Sequence, residues 1–451
     1  MVTNPTVACF ERTPSPPEDN VSITDQHTGA NHRPCVVLVA PPQSYRLAPY
    51  IVAAAKLGIE LLLVSEGKHS LVSAVANGVH VSFSDRESVE SLVLLAIDQR
   101  TVHAVIGTDD ATVEIASRIA HTLGIAHNDP AVTRLTRRKD LGRAALLKHG
   151  LPIPEHRVLA LEQVLQEDSI DIAFPSVVKP LALSGSRGII RVNNADELVT
   201  ACRRIERILK SESWLEPYER THVLVESYIP GQEVALEGLL RGGTLKVLAL
   251  FDKPDPLEGP FFEETYYVSP SRHDSKCQAN ITETVQLACA AYGLREGPVH
   301  AELRIAKGRV WILEIAGRTI GGDCARLLSY GTRQTLEETV LSHALGWPVA
   351  LETPKEGLGV LMIPIPKAGI LRRVEGILNA RQVPYIEEIA IHIREGNELV
   401  PLPEGASYLG FIFARAPDAK RAEEALRAAH DCLNIIVAPL FKAVVERSVA
   451  D

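Results

Sequence analysis

Between Pro34 and about residue 130 the chain alternates short aliphatic runs with segments of helical spacing, and this alternation limits the fold more than any other feature. The runs are CVVLVAP from Cys35, LLLVSEG from Leu61, VHVSF from Val79 and VHAVIGTDD from Val102. Between and after them, apolar residues recur at helical intervals over Tyr45–Leu57, Glu87–Ile97 and Ile115–Leu123. Short β-branched runs are typical of strands buried on both faces, and regular alternation with helices predicts an α/β domain with an open, doubly wound parallel sheet. A dinucleotide fingerprint would place GxGxxG after the first strand, where the chain reads VLVAPPQSYRL. A P-loop needs Gly-Lys followed by Ser or Thr, and Gly67-Lys68 is followed by His69. Both standard phosphate cradles are missing from this domain.

At 451 residues the chain has length for about three domains. A hydrophobic content of 46% can fill large cores, and 23% charged residues is ordinary for a folded soluble protein. A net charge of -9 and a pI near 6.0 argue against a nucleic-acid partner, which calls for a basic excess. The seven cysteines are scattered and form no CxxC, so neither a zinc ribbon nor a thioredoxin-type site is suggested, and a reducing compartment is the simpler reading. No apolar run approaches the roughly 18–20 residues of a membrane span. The N-terminus lacks a basic stretch followed by an apolar one, so it does not read as a secretory signal. Its Pro, Ser, Thr, Asn and Asp content predicts a disordered tail over residues 1–33. A cytoplasmic location is expected.

From Ala131 the pattern changes. A basic helix, Arg134 to Lys148, leads into Gly150-Leu151-Pro152, followed by short strands and one glycine-rich loop. From Gly357 a last α+β segment carries VLMIPIP, EIAIHI and YLGFIFAR, then an Ala-rich helix over Asp418–Cys432.

Three stretches carry chemistry. In FPSVVKPLALSGSRGIIR (Phe174–Arg191) an apolar strand ends in Lys179-Pro180 and leads to Ser184, Gly185, Ser186, Arg187 and Gly188. Small residues let backbone N–H groups approach an anion, and two hydroxyls and a guanidinium add donors. A plain hairpin tip fits the loop equally well by itself; the adjoining lysine favours phosphate. In VLVESYIPGQEVALEGLL (Val223–Leu240), Glu233 is placed to accept from ribose hydroxyls and the backbone between Glu226 and Ile229 to meet an adenine edge. A strand connection with exposed acids remains the commoner meaning of such a stretch.

The third, VHAELRIAKGRVWILEIAGR, reads as a hairpin with a three-residue loop, Lys307-Gly308-Arg309. Centring it on Gly308 puts Glu302 opposite Glu314, with Cβ atoms about 4.5–5.5 Å apart, where like charges repel. A divalent cation between them would relieve that repulsion, and magnesium suits one or two carboxylates plus phosphate. Leu303, Ile305, Trp311 and Leu313 are expected to be buried on the other face. Arg318 and Ile320-Gly321-Gly322-Asp323 follow at once. An arginine there can reach a phosphoryl oxygen or an oxyanion, and a structural ion pair is the plainer alternative.

In this order the motifs resemble the ATP-grasp superfamily over about residues 35–345, and most closely its L-amino-acid and related carboxylate–amine ligases, whose extra subdomain is similar to VLMIPIPKAGILRRVEGI. The resemblance implies a domain over 34–130, a linker helix and lid over 131–225, a catalytic subdomain over 226–348 and a C-terminal α+β subdomain over 349–451. It implies Lys139 and Lys179 on the phosphates, the Ser184–Gly188 loop closing over them, and Glu226, Ile229 and Glu233 at adenine and ribose. It places magnesium, with manganese as an alternative, on Glu302 and Glu314, and a catalytic role on Arg318. Glu264, in GPFFEETYYVSPSRHD, falls near the carboxylate that senses a substrate amino group, with Gly321 and Gly322 on the substrate side. One departure is Ala316, where many members have an asparagine ligand. The implied reaction joins a small-molecule carboxylate to an amine through an acyl phosphate, releasing ADP and phosphate. Homodimers are common in the family. The alternatives are a carboxylase or purine-pathway ligase of the same fold, and a non-catalytic nucleotide sensor. A sensor would be expected to lose Glu302, Glu314 or Arg318, and all three are present.

Overall fold

Every residue of the first strand, Cys35–Ala40, is buried. Its side chains alternate between two cores. Val36, Leu38 and Ala40 pack with Tyr50, Ala53 and Ala54 of the helix Leu47–Leu57. Cys35, Val37 and Val39 pack with Val89 and Val93 on one helix and Ile115 and Ile119 on another. A strand covered on both faces needs this all-apolar composition. The sheet runs Asn77–Val81, Glu60–Glu66, Cys35–Ala40, Val102–Gly107, parallel throughout, as the alternation predicts.

The computed structural model describes residues 33–440, apart from 43, 68–76, 84, 98–99, 167–170, 332–333 and 350–355. The tail expected over 1–33 thus lies outside the described residues, Arg33 excepted.

An eight-stranded antiparallel sheet forms the centre. Its order is Arg309–Ala316, Gly297–Ala306, Gln232–Arg241, Thr244–Lys253, Tyr266–Ser269, Gly357–Ile363, Gly410–Ala416, Ile386–Ile391. It continues past residue 348, so the boundary drawn there falls within one sheet. The helix Ser275–Tyr292 covers one face through Ile281, Val285, Ala288, Cys289 and Tyr292, a single stripe at helical spacing. Asp274 caps its start by accepting from Cys277 N–H at 2.7 Å.

The lid is a separate four-stranded antiparallel sheet, ordered His156–Ala160, His222–Ser227, Ser176–Pro180, Ile190–Val192. The helix Ala195–Lys210 packs on it through Leu198, Cys202, Ile205 and Leu209. The strand His222–Ser227 spans the boundary drawn at 225. A three-stranded sheet (Glu398–Leu399, Gly369–Glu375, Asn434–Ala438) completes the C-terminal part.

The basic helix expected over Arg134–Lys148 is two helices, Pro130–Arg137 and Lys139–Lys148. Arg138 between them is extended (φ -88°, ψ 98°). Its guanidinium donates twice to Asp140, at 2.9 and 2.7 Å, and Lys139 N–H donates to the Leu181 carbonyl at 2.9 Å. Tertiary hydrogen bonds to the lid thus override helix continuity and bring Lys139 to a helix start. Gly142, one turn on, lies against Tyr292; a Cβ there would meet the phenol oxygen at 2.3 Å. Only glycine permits that approach.

Candidate functional site

The hairpin that carries Glu302 and Glu314 turns in two residues, not three: Ala306 pairs with Arg309 across Lys307-Gly308, whose φ values are 51° and 74°. Two consecutive left-handed residues match the twist of the strands. With that turn alone Glu302 would face Leu313. A bulge between Glu302 and Leu303 restores the expected opposition of Glu302 and Glu314. The bulge also changes which residues are buried. Val310 and Ile312 enter the core before it and Ile315 after it, whereas Trp311 and Leu313, expected inside, are half-buried. Leu303 is buried as expected and Ile305 half-buried. Leu313 and Glu314 both end up lining a cavity.

The two lysines converge on this hairpin and the lid. Lys139 Nζ lies 3.4 Å from Glu314 and donates to the Leu183 carbonyl at 2.9 Å. Lys179, on the last turn of its strand before Pro180, pairs with Glu226 at 2.6 Å. Arg143 grips the other Glu226 oxygen at 2.5 Å and donates to the Leu313 carbonyl at 2.6 Å. Burial raises the Glu226 pKa, but Arg143 and Lys179 outweigh it and hold the carboxyl at about 2. Glu226 therefore orients Lys179, with its carboxylate committed to Lys179 and Arg143.

Glu233 is likewise engaged, accepting from Lys253 at 2.8 Å and from Arg304 at 3.0 Å. Arg304 also donates to the Ile229 carbonyl at 2.8 Å and to the Leu257 carbonyl at 2.6 Å. Lys253, buried to 2% exposure, is the hub beneath the site: it reaches Glu233, Glu264 at 2.5 Å and Glu302 at 3.5 Å. Burial and the neighbouring Glu302 push Glu264 up to about 7 against the pull of Lys253. Glu302 is held well below the usual carboxylate range despite burial, by Lys253 and His300. Oxygens of Glu233, Glu264 and Glu302 all lie within 4.8 Å of one another, a spacing that fits a metal ion. The structure thus adds two carboxylates to Glu302 and sets Glu314 against Lys139.

Over Ser184–Gly188 the backbone turns through left-handed residues, Gly185 at 64°, Ser186 at 55° and Gly188 at 72°. Ser184, Gly185 and Ser186 line the larger cavity described below. Arg187, expected to add a donor for an anion, points elsewhere: it binds Glu212 at 2.5 Å and the Glu404 carbonyl at 2.8 Å. Gly188 is buried against Pro180 and donates to the Pro403 carbonyl at 2.9 Å. The loop is therefore docked on the segment around residues 403–406 of the C-terminal part.

Arg318 is buried and engaged through each of its three nitrogens. It donates to both oxygens of Asp110, at 3.0 and 2.9 Å, and to the Thr319 carbonyl at 2.9 Å. Asp110 stays ionised below its usual range because Arg318 outweighs its burial. Asp110 carried a readable signal, since it follows the carboxyl end of a parallel strand, where α/β folds place ligand contacts. Lys253, Arg143 and Arg304 were missed as well; their signal was a lone charge within or beside an apolar run.

Two cavities meet at these residues. A narrow slot of about 60 Å³ is lined by Lys179, Tyr228, Ile229, Glu233, Phe262 and Leu313. A chamber of about 530 Å³ is lined by Arg46, Lys139, His300, Arg318, Gly321, Gly322 and Tyr408. Ser186, Ile189, Glu264, Glu302 and Glu314 border both. Every site residue expected from sequence except Arg187 and Gly188 lines one or both.

Comparison with known proteins places this geometry. Residues 172–326 match the ATP-grasp domain, and residues 361–438 match the L-amino acid ligase C-terminal domain 2. A D-alanine--D-alanine ligase of Pseudomonas putida is 31% identical over 37% of this chain and 49% of its own length. An alanine--anticapsin ligase of Bacillus amyloliquefaciens is 25% identical over 52% of each. The matches thus span about half the length of these curated relatives. The crystal structure of the L-amino acid ligase from Bacillus licheniformis superposes with a TM-score of 0.78 at 23% identity, over 90% of this chain and 99% of that one. The lid and central hairpin fall largely within the first match and the C-terminal strands within the second, so the chain carries an ATP-grasp domain followed by an L-amino acid ligase C-terminal domain 2.

Proposed function

We propose that this protein is an ATP-dependent carboxylate–amine ligase, with an amino acid as the carboxylate substrate, that forms an amide through an acyl phosphate and releases ADP and phosphate. The observation that carries the reading is the junction of the slot and the chamber at Glu302 and Glu314, flanked by Lys139, Lys179 and Arg318. Tyr228, Leu257, Phe262 and Leu313 give the slot apolar walls suited to a planar base. Lys139 and Lys179 supply cations for the phosphates at its inner end.

Glu302, Glu264 and Glu233 bring carboxylate oxygens within 4.8 Å of one another, a set that fits a divalent cation, with Glu314 opposite Glu302 in the hairpin. Magnesium bound there would neutralise charge on the transferred phosphoryl group. In the first step a carboxylate oxygen bonds to the γ-phosphorus and the bond to the bridging oxygen of ADP breaks. The amine nitrogen then bonds to the acyl carbon, phosphate leaves and the amine loses a proton. Arg318, held rigid by Asp110, places positive charge on the chamber side where the oxyanion develops. The Ser184–Gly188 loop, docked on Pro403 and Glu404, shields the acyl phosphate from water.

Both substrates are small molecules. No described helix is long and apolar enough to cross a membrane. The described cysteines are all free thiols, which supports a reducing, cytoplasmic setting. The reading is tested by ADP release from purified protein with ATP and magnesium, over amino acids offered singly and in pairs. ADP that forms only with certain pairs, alongside the matching amide mass, is expected. ATP binding without ADP or amide from any pair would favour a nucleotide sensor.

A further inference from the structure

We propose that the free edge of the strand Val102–Gly107 binds a short zwitterionic peptide, in a cleft separate from the slot and the chamber. The site goes beyond the ligase reading and does not depend on it. The cleft, of about 360 Å³, lies between the N-terminal domain and the eight-stranded sheet. Val102–Gly107 is an outer strand of the parallel sheet and, among the described residues, pairs only with Cys35–Ala40. Ala104, Val105, Ile106 and Gly107 all line the cleft. Successive strand residues point to opposite faces, so a cavity that touches four in a row runs along the strand's edge.

Which backbone groups face the cleft follows from the register. Thr108 N–H donates to the Val39 carbonyl at 3.0 Å. With a period of two, Ala104 and Ile106 bond to that same strand, and Val105 and Gly107 turn their N–H and C=O groups outward. No described backbone group outside the strand pair bonds either of them. Both residues are half-buried, so this edge lies within the cleft and not in open solvent. An unpaired strand edge is completed by another peptide backbone. At 3.3 Å per residue Val105 and Gly107 stand about 6.6 Å apart, the repeat of a dipeptide and more than one amino acid spans.

The walls suit such a ligand. Val113, Ala116, Val340 and Leu345 are apolar and face small side chains. Glu296 and Arg241 also line the cleft and supply one charge for an ammonium and one for a carboxylate. Each is fixed through one terminal atom: Glu296 Oε1 accepts from Gly242 N–H at 2.9 Å, and Arg241 Nη2 donates to the His343 carbonyl. The volume falls in the range of small-molecule clefts, about 300–1,000 Å³. Gly107 leads directly into Thr108, Asp109 and Asp110, and Gly317, on another wall, precedes Arg318. A peptide held here therefore sits behind the Asp110–Arg318 pair.

The test is calorimetric titration of the full chain with L-alanyl-L-alanine, and with L-alanine as the single-residue control, in wild type, Val105→Pro and Glu296→Gln. Proline is tolerated where the N–H of an edge strand points outward, so Val105→Pro removes that donor and keeps the strand. Wild type is expected to bind the dipeptide at least about 10-fold more tightly than alanine, since only the dipeptide reaches both Val105 and Gly107. Val105→Pro should weaken dipeptide binding about 10-fold and Glu296→Gln about 3- to 10-fold, with affinity for ATP unchanged in both. Dipeptide affinity that survives both substitutions would place the peptide in the chamber and overturn the proposal. No measurable dipeptide binding to wild type would overturn it as well. Neither result bears on the ligase reading, which the ADP-release assay decides. If Val105→Pro also loses ATP affinity, Glu296→Gln, a side-chain change outside the strand, decides alone.

Discussion

The slot and the chamber share a border but are assembled in opposite ways. The slot comes from hairpins and strand ends, with its working residues close together in sequence: Lys179 with Ser186, Glu226 with Glu233, Glu302 with Glu314. The chamber draws on Arg46 and Asp110 from the N-terminal domain, Ser184 from the lid, Arg318 from the catalytic hairpin, and Met362, His392 and Tyr408 from the C-terminal part. A polar residue on a short apolar strand leaves a local mark in a sequence. A chamber gathered from distant segments leaves none. On the proposed function, phosphate and metal chemistry falls to the first kind of region and substrate choice to the second.

The largest expected effect is at Lys253, which lies beneath both regions. Lys253→Met would remove the one cation that Glu233, Glu264 and Glu302 share, leaving Arg304 beside Glu233 and His300 beside Glu302, and should cost about 3–5 kcal/mol in urea unfolding. An unchanged midpoint would mean that the carboxylates are balanced in another way. Next is Glu302→Gln, on the shared border, which should lower the ADP-forming rate by about 10²–10³-fold with the fold intact. Turnover near the wild-type rate would remove Glu302 from the metal site.

His300 sharpens the comparison from the chamber side. It donates toward Glu237 at 3.1 Å and lies 3.7 Å from Glu302. Burial lowers its pKa, but these acids raise it from 6.5 to about 8. A raised folded-state pKa gives stability that is fully present below pH 6.5 and lost as pH rises through 8, about 2 kcal/mol in all. Unfolding of the nucleotide-free protein should show this slope, and His300→Gln should flatten it. A slope that survives the substitution belongs to other groups. The smallest effect is at Glu404, whose carboxylate is gripped by Arg204, one of the two contacts being 2.7 Å, and whose carbonyl holds Arg187. Glu404→Ala should loosen the docked lid and raise KM for ATP about 2- to 5-fold, in line with a half-exposed ion pair worth under about 1 kcal/mol. A larger change in the amine KM than in the ATP KM would show that this segment serves the chamber first.

How much was legible follows the same division. Alternating aliphatic runs gave the parallel sheet and its strand identities, and the pairing of Glu302 with Glu314 could be read from a hairpin centred on Gly308. The pairing is right although the loop is shorter, because a bulge compensates; bulges have no dependable sequence mark. The helix break at Arg138 was hidden because it is imposed by the lid through the Leu181 carbonyl. Arg187 looked like an anion donor because its partners, Glu212 and the Glu404 carbonyl, are distant in sequence. Glu226 and Glu233 were placed at the slot, but not recognised as counter-ions, since Arg143, Lys253 and Arg304 reach them only in the folded chain.

The acyl phosphate is the central claim, and oxygen transfer tests it most directly. With a productive acid labelled with ¹⁸O in its carboxylate, the account predicts that the label appears in the released phosphate in step with amide formation. Amide formed while the phosphate stays unlabelled, or with AMP and pyrophosphate in place of ADP, would contradict it.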